Sequence, residues 1–413
     1  MFYKASIERE CDRLNELRNV SYRDFDLEDL ASHMKADILI SGADGNLRNN
    51  IVARLLYYYS YTDPCQSLVL TKNQALVGFL STKENIGKDG LIISGFEKKN
   101  YGVFTDFSKF EFVDLIKDIF ALEKIDEIDY RNYLSALVSL LFYGKESTSL
   151  DDFIDLSQKN PRDLAGLAEN MGLARDIVYD LEENSRAARP IRLLAELLEE
   201  VFKNLSSKDR DSYISYTHPS YRDMVKVFDM NSYRPEILKL DLTYLIEKIS
   251  KEDRLRLVGD DMEFAKDDRL LDLVKKLKLD DRVQVIVSSK NALNMFMGDK
   301  GQLGDFSNML ILPHTSAEVD ENITSIFGEY THFSALESTS KSKGMFFQRG
   351  KSNNYSMTEK KTLRISSDDL QMADFGEGQA AIKFETTPVI FLSSLSGLAP
   401  RRSIKKDENR WIL

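Results

Sequence analysis

The stretch ADILISGADGNLRNNIVARLLYYY at positions 36–59 holds the residues best suited to chemistry. An apolar run is followed by Gly42 and Gly45, and Arg48 and Asn49 come just before a helical pattern. Glycines let backbone amides converge on a ligand, and a helix N-terminus adds favourable dipoles; a strand, loop and helix in this order can cradle a phosphate. On the phosphate-loop spacing G-x-x-x-x-G-K-[ST], Gly42 takes the first glycine. Leu47 then stands for the second glycine, Arg48 for the lysine and Asn49 for the hydroxyl residue. The pattern predicts a strand at 38–40, a loop, and a helix opening near Asn49 that runs over 50–59.

The departures each carry a physical cost. Leu47 places a side chain where backbone must approach phosphate closely. Arginine keeps a charge without the compact ammonium that fits inside such a loop. Asparagine's amide is a poor replacement for a hydroxyl on magnesium. A phosphate loop also needs acidic residues at the end of a second apolar strand to hold magnesium and orient water. RLRLVGDD at 254–261 supplies Asp260 and Asp261 in that position; the plain alternative is a strand that ends in an acidic turn.

The elements around these residues fall into three stretches. In 1–106, an amphipathic N-terminal helix precedes apolar strands at 38–40, 67–71 and 90–96 with helices between them, which predicts βαβ units on a mainly parallel sheet. From 107 to 206 strand signals vanish and helical periodicity takes over, with N-cap signals at Ser149 and at Asn160 before Pro161. Its leucine and aromatic positions read as core. Strand signals return over 207–395, at 224–230, 254–261, 283–289 and 308–313, and a basic tail, APRRSIKKDENRWIL, closes the chain. The tail (396–413) reads as solvated chain or as a partner-docking peptide anchored by Trp411, Ile412 and Leu413.

Composition bounds the rest. The chain has 413 residues, 42% hydrophobic and 30% charged, which is ordinary for a soluble globular protein of two or three domains. No apolar run reaches the ~18 residues of a membrane span, and no signal peptide is read. The two cysteines, Cys11 and Cys65, make no disulfide framework, and the four histidines have no zinc-site spacing. A net charge of −11 opposes a broadly basic nucleic-acid surface.

The order strand, glycine loop, helix, helical insertion, strand with paired acids, helix, apolar strand resembles the coupling-protein ATPases of type IV secretion and conjugation, within the FtsK/HerA group of RecA-like motors. The resemblance is carried most by RLRLVGDDMEFAKDDRLLDLVKKLKLDDRVQVIVSSKNALNM within 254–312, and again by LQMADFGEGQAAIKFE. It implies an α/β RecA-like domain with an inserted all-helical domain. It matches Gly42 and Gly45 to loop glycines, Asp260 to the magnesium-associated aspartate, and Asp261 to a catalytic glutamate, one methylene shorter. Lys290 stands for a sensor glutamine, and Arg349 is a candidate for an arginine supplied to a neighbouring subunit.

With four coincident departures, the resemblance implies a non-hydrolysing relative that acts as a scaffold or substrate adaptor. No cofactor is expected, with ATP and magnesium the ligands if the degenerate loop still binds. Partners would be secretion or conjugation subunits, an active coupling ATPase, or further copies of the chain. The chain would be cytoplasmic, reaching the inner membrane only through partners, because it lacks the membrane-spanning helices usual in these proteins. The alternatives are an active but atypical P-loop ATPase, and a protein-interaction module working through the helical region. DNA binding is disfavoured by the acidic balance.

Overall fold

The structure is a computed structural model that describes residues 2–81, 91–94, 104–123, 130–146, 148–202, 224–231, 234–262, 268–296, 300–343, 349–371 and 379–398. The basic tail from 399 on, the NIGKDG turn and the acidic-glycine turn before 379 lie outside the described residues. The strands are β1 (Val20–Tyr22), β2 (Ile38–Ser41), β3 (Gln66–Thr71), β4 (Leu91–Ser94), β5 (Val225–Asp229) and β6 (Leu255–Asp260). They continue with β7 (Val283–Ser289), β8 (Asn308–Ile311), β9 (Glu329–Lys343), β10 (Arg349–Leu363), β11 (Gln379–Lys383) and β12 (Ile390–Ser394). The fold is the expected α/β architecture with a mainly parallel sheet. The chain divides into two compact units, one of residues 1–55 and 287–413, the other of 56–286, with the crossings inside the Gly45–Thr62 helix and inside β7.

In the first unit the strand order is β1-β12-β11-β8-β2. β2 lies parallel to β8, with Ile38 opposite Asn308 and Ser41 opposite Ile311, while β11 runs antiparallel to both β8 and β12. All four residues of β2 and of β8 are buried, which explains the apolar runs Ile38–Ile40 and Met309–Ile311, each with one polar residue at an end. The unit also carries a two-stranded antiparallel ribbon, β9 with β10, in register from Glu329 opposite Leu363 to Lys343 opposite Arg349. An isolated ribbon is marginal in water. Here the Phe2–Asn15 helix braces it: Asn15 Nδ2 donates to Phe333 O (2.9 Å), and Phe333 N donates to Asn15 Oδ1 (2.8 Å).

In the second unit β6, β3, β5 and β4 lie side by side, all parallel. Between β4 and β5 come the helices Lys109–Leu122, Arg131–Leu141, Leu150–Ser157, Pro161–Asn170, Arg175–Glu183 and Ala188–Phe202, with no strand among the described residues. Ser149 caps its helix by accepting from Asp152 N, and Asn160 accepts from Arg162 N with Pro161 in the first turn, as their types predict. Phe112, Phe120, Tyr130, Phe153 and Phe202 are buried, so these aromatics are core. The sheet holds two buried cations at the strands' N-terminal ends. Arg256 lies over the Tyr59 ring and donates to Gln284 Oε1 (2.6 Å), and Lys226 donates to Gln66 Oε1 (2.7 Å).

Candidate functional site

The glycine loop belongs to the first unit and begins where β2 ends at Ser41. The helix that follows opens at Gly45, four residues before the expected start near Asn49, and the connection is only Gly42, Ala43 and Asp44. Asp44 causes the early start. Its carboxylate Oδ1 accepts from Asn46 N (3.0 Å) and Leu47 N (3.1 Å), and its carbonyl accepts from Arg48 N (3.1 Å). That is N-cap geometry: a side-chain oxygen satisfies amides that have no partner inside the helix.

Two further loop amides reach neighbouring strand ends. Gly42 N donates to Ser289 O (3.1 Å) and Ala43 N to Pro313 O (3.0 Å). Five amides between Gly42 and Arg48 are therefore engaged by the chain itself. The helix dipole at this end favours an anion, and a carboxylate of the chain already stands there.

The side chains matched to phosphate contacts turn inward. Leu47, Arg48 and Asn49 are all buried. The Arg48 guanidinium folds back over its own loop, and Nη1 donates to the carbonyl of Gly42 in a short hydrogen bond. Gly42 is fixed by packing: a Cβ at this position would sit 2.4 Å from Leu312 Cβ and 3.3 Å from its Cα. A Cβ on Gly45 would meet nothing within 4 Å. We expect Asp44→Ala to destabilise the first unit by about 1 kcal/mol and Asp44→Asn to restore most of that, read by urea unfolding.

Asp260 and Asp261 lie in the second unit, at and just past the end of β6. Asp260 is fully buried, and its Oδ2 accepts from Thr71 Oγ1 (2.8 Å); the same hydroxyl oxygen accepts from Asn73 N (2.9 Å). Asp261 has a positive φ of 49°, a left-handed conformation that aspartate tolerates better than most residues. In the first unit, Lys290 is exposed one residue past β7. Arg349 opens β10, opposite Lys343. The loop residues and Lys290 thus share one unit and the two aspartates belong to the other.

A polar cluster that the sequence did not reveal adjoins the loop. Ser41 Oγ lies 2.8 Å from His314 Nε2 and accepts from Ala292 N (3.1 Å). His314 Nδ1 lies 2.8 Å from Asp320 Oδ1, which also accepts from His314 N (2.9 Å). Asp320 Oδ2 accepts from Gln371 Nε2 (3.0 Å). The one sequence cue was His314 directly after an apolar strand and Pro313; nothing in the spacing joins it to Ser41, 273 positions away.

No family model matches the chain, and no curated protein does. Among solved structures the chain is similar to the bacterial conjugative coupling protein TrwBΔN70 in a trigonal form in complex with sulphate, with 15% identity, a TM-score of 0.49, and coverage of 97% of this chain and 94% of that one. It is similar to the unbound monoclinic form of that protein at 14% identity and a TM-score of 0.48, over 93% and 90% of the two chains. It is also similar to VirB4 of Thermoanaerobacter pseudethanolicus at 12% identity and a TM-score of 0.42, over 70% and 80%. Among the described residues no helix is long and apolar enough to cross a membrane.

Proposed function

We propose that the chain is a non-hydrolysing relative of the type IV secretion and conjugation coupling proteins, acting as a scaffold or substrate adaptor. The observation that carries this is the state of the glycine loop. Phosphoryl transfer depends on positioning and electrostatics, supplied by loop amides, a mobile cation and a metal. Here Gly42, Ala43, Asn46, Leu47 and Arg48 donate their amides to the chain's own oxygens, and Arg48 is tied to Gly42. A triphosphate would have to displace the Asp44 carboxylate, which repels it, and unbury Arg48. The residues present do not fit ATP with magnesium. The resemblance carried by 254–312 supports secretion or conjugation subunits as partners, an active coupling ATPase or a second copy among them. It also supports a cytoplasmic place, at the inner membrane through those partners.

The test is ATP turnover by the full chain, alone and with candidate partners. The expected result is no magnesium-dependent phosphate release above a protein-free blank. Turnover that needs magnesium and disappears in Asp261→Ala would overturn the reading.

A further inference from the structure

Ser41, His314 and Asp320 have the hydrogen-bond order of a nucleophilic triad, hydroxyl to imidazole to carboxylate, with both links at 2.8 Å. The hydroxyl nevertheless meets no substrate. Ser41 is fully buried, its Oγ already takes the Ala292 amide, and next to it Gly42 is pressed against Leu312. A catalytic serine must present its oxygen to an acyl carbon, and this one presents it to the protein.

We propose instead that Ser41, His314, Asp320 and Gln371 form a cooperative latch that holds the end of β2 in one conformation without any ligand. Each member comes from a different place in the first unit: the end of β2, the exit of β8, the Ala317–Thr324 helix and the Ser367–Gln371 helix. Ser41 Oγ adds a fifth tie to the start of the Ala292–Met295 helix. The last helix is itself anchored, since Asp369 Oδ2 accepts from Arg18 Nη2 (2.5 Å) and Ser366 N (2.7 Å).

The donor and acceptor order makes these bonds interdependent. A carboxylate only accepts, so His314 Nδ1 carries the proton that faces Asp320. In the neutral ring Nε2 then accepts from the Ser41 hydroxyl, whose oxygen takes the Ala292 amide. Turning any one group sets donor against donor, or acceptor against acceptor, at the next link. Satisfied chains of this kind, buried here at Ser41, His314 and Asp320, strengthen one another. The latch operates whether or not the loop ever binds nucleotide, so it stands apart from the loss of hydrolysis.

Hydrogen exchange on the full chain, resolved to single amides, tests the latch. Gln371 is exposed, so Gln371→Ala leaves folding intact, and the Ala292 amide touches neither Gln371 nor Asp320. Exchange of that amide is expected to rise about tenfold in Gln371→Ala. It should stay within about twofold of the parent in Asp320→Asn, where Oδ1 still accepts from Nδ1 and the exposed Gln371 amide turns so that its Oε1 accepts from the new Nδ2. The Phe333 amide, bonded to Asn15 elsewhere in the unit, is expected to stay unchanged in both variants. An unaltered Ala292 amide in Gln371→Ala would overturn the proposal. So would an equal rise at Phe333, or a rise in Asp320→Asn matching that in Gln371→Ala.

Discussion

His314→Ala is expected to destabilise the first unit by about 3 kcal/mol, because each buried polar group left without its partner costs about 1–3 kcal/mol and a carboxylate costs more. The side chains of His314 and Asp320 are 2% and 0% exposed, so no water replaces the lost ring nitrogen at the carboxylate. The loss reaches further, because Ser41 Oγ gives up its other partner while remaining fully buried. Stranding a buried polar group costs more than an average hydrogen bond contributes. Urea unfolding followed by a probe within residues 287–371 is the measurement. Asp320→Ala should cost a similar amount, and the double variant less than the sum, because the second change removes a group that the first had already orphaned. A loss below about 1 kcal/mol in His314→Ala would mean the three groups are not held as a chain.

The parallel strands from β2 to β8 were legible in the sequence because buried parallel strands read as continuous apolar runs, whereas the short, largely exposed β1 was not. VQVIVSS marks β7 without error, and SLVLT misses only Gln66, which is buried but polar. Ser149 and Asn160 gave the helix starts in the second unit by the same capping rule that governs Asp44. At Asp44 that rule lost to the phosphate-loop template, which extends the loop to position 49, and the helix start was placed four residues late. The ribbon β9–β10 escaped because KSNNYSMTEKK, the body of β10, has no apolar alternation. Both its described faces are largely solvated, with Leu336 and Met357 half exposed, so no period of two was imprinted. The latch was illegible for a different reason. Ser41 and Gln371 reach the local His314–Asp320 pair only through the parallel pairing of β2 with β8 and the return of the 367–371 helix, and none of the four shares a helix or strand face with another.

Gly42→Ala separates a glycine kept for packing from one kept for a ligand. If Gly42 mattered only because backbone must approach phosphate, alanine would leave the fold untouched and alter binding alone. The backbone here is instead closed on Leu312: Gly42 N reaches Ser289 O, Leu312 N reaches Ser41 O (2.7 Å), and the added methyl would stand 2.4 Å from Leu312 Cβ. Cβ cannot rotate away, and Leu312 is buried at 1% exposure, so strand ends rather than a flexible side chain must move. Overpacking of this kind costs 1–3 kcal/mol and occasionally more, and we expect about 3 kcal/mol by urea unfolding. The rescue is specific. Leu312→Gly removes the atom that is struck, so Gly42→Ala should cost less than about 1 kcal/mol on that background, an interaction energy of about 2 kcal/mol. A cost of about 3 kcal/mol in both backgrounds would place the clash elsewhere. Full stability in the single variant would return Gly42 to the ligand reading, and with it the case for a loop able to open around phosphate.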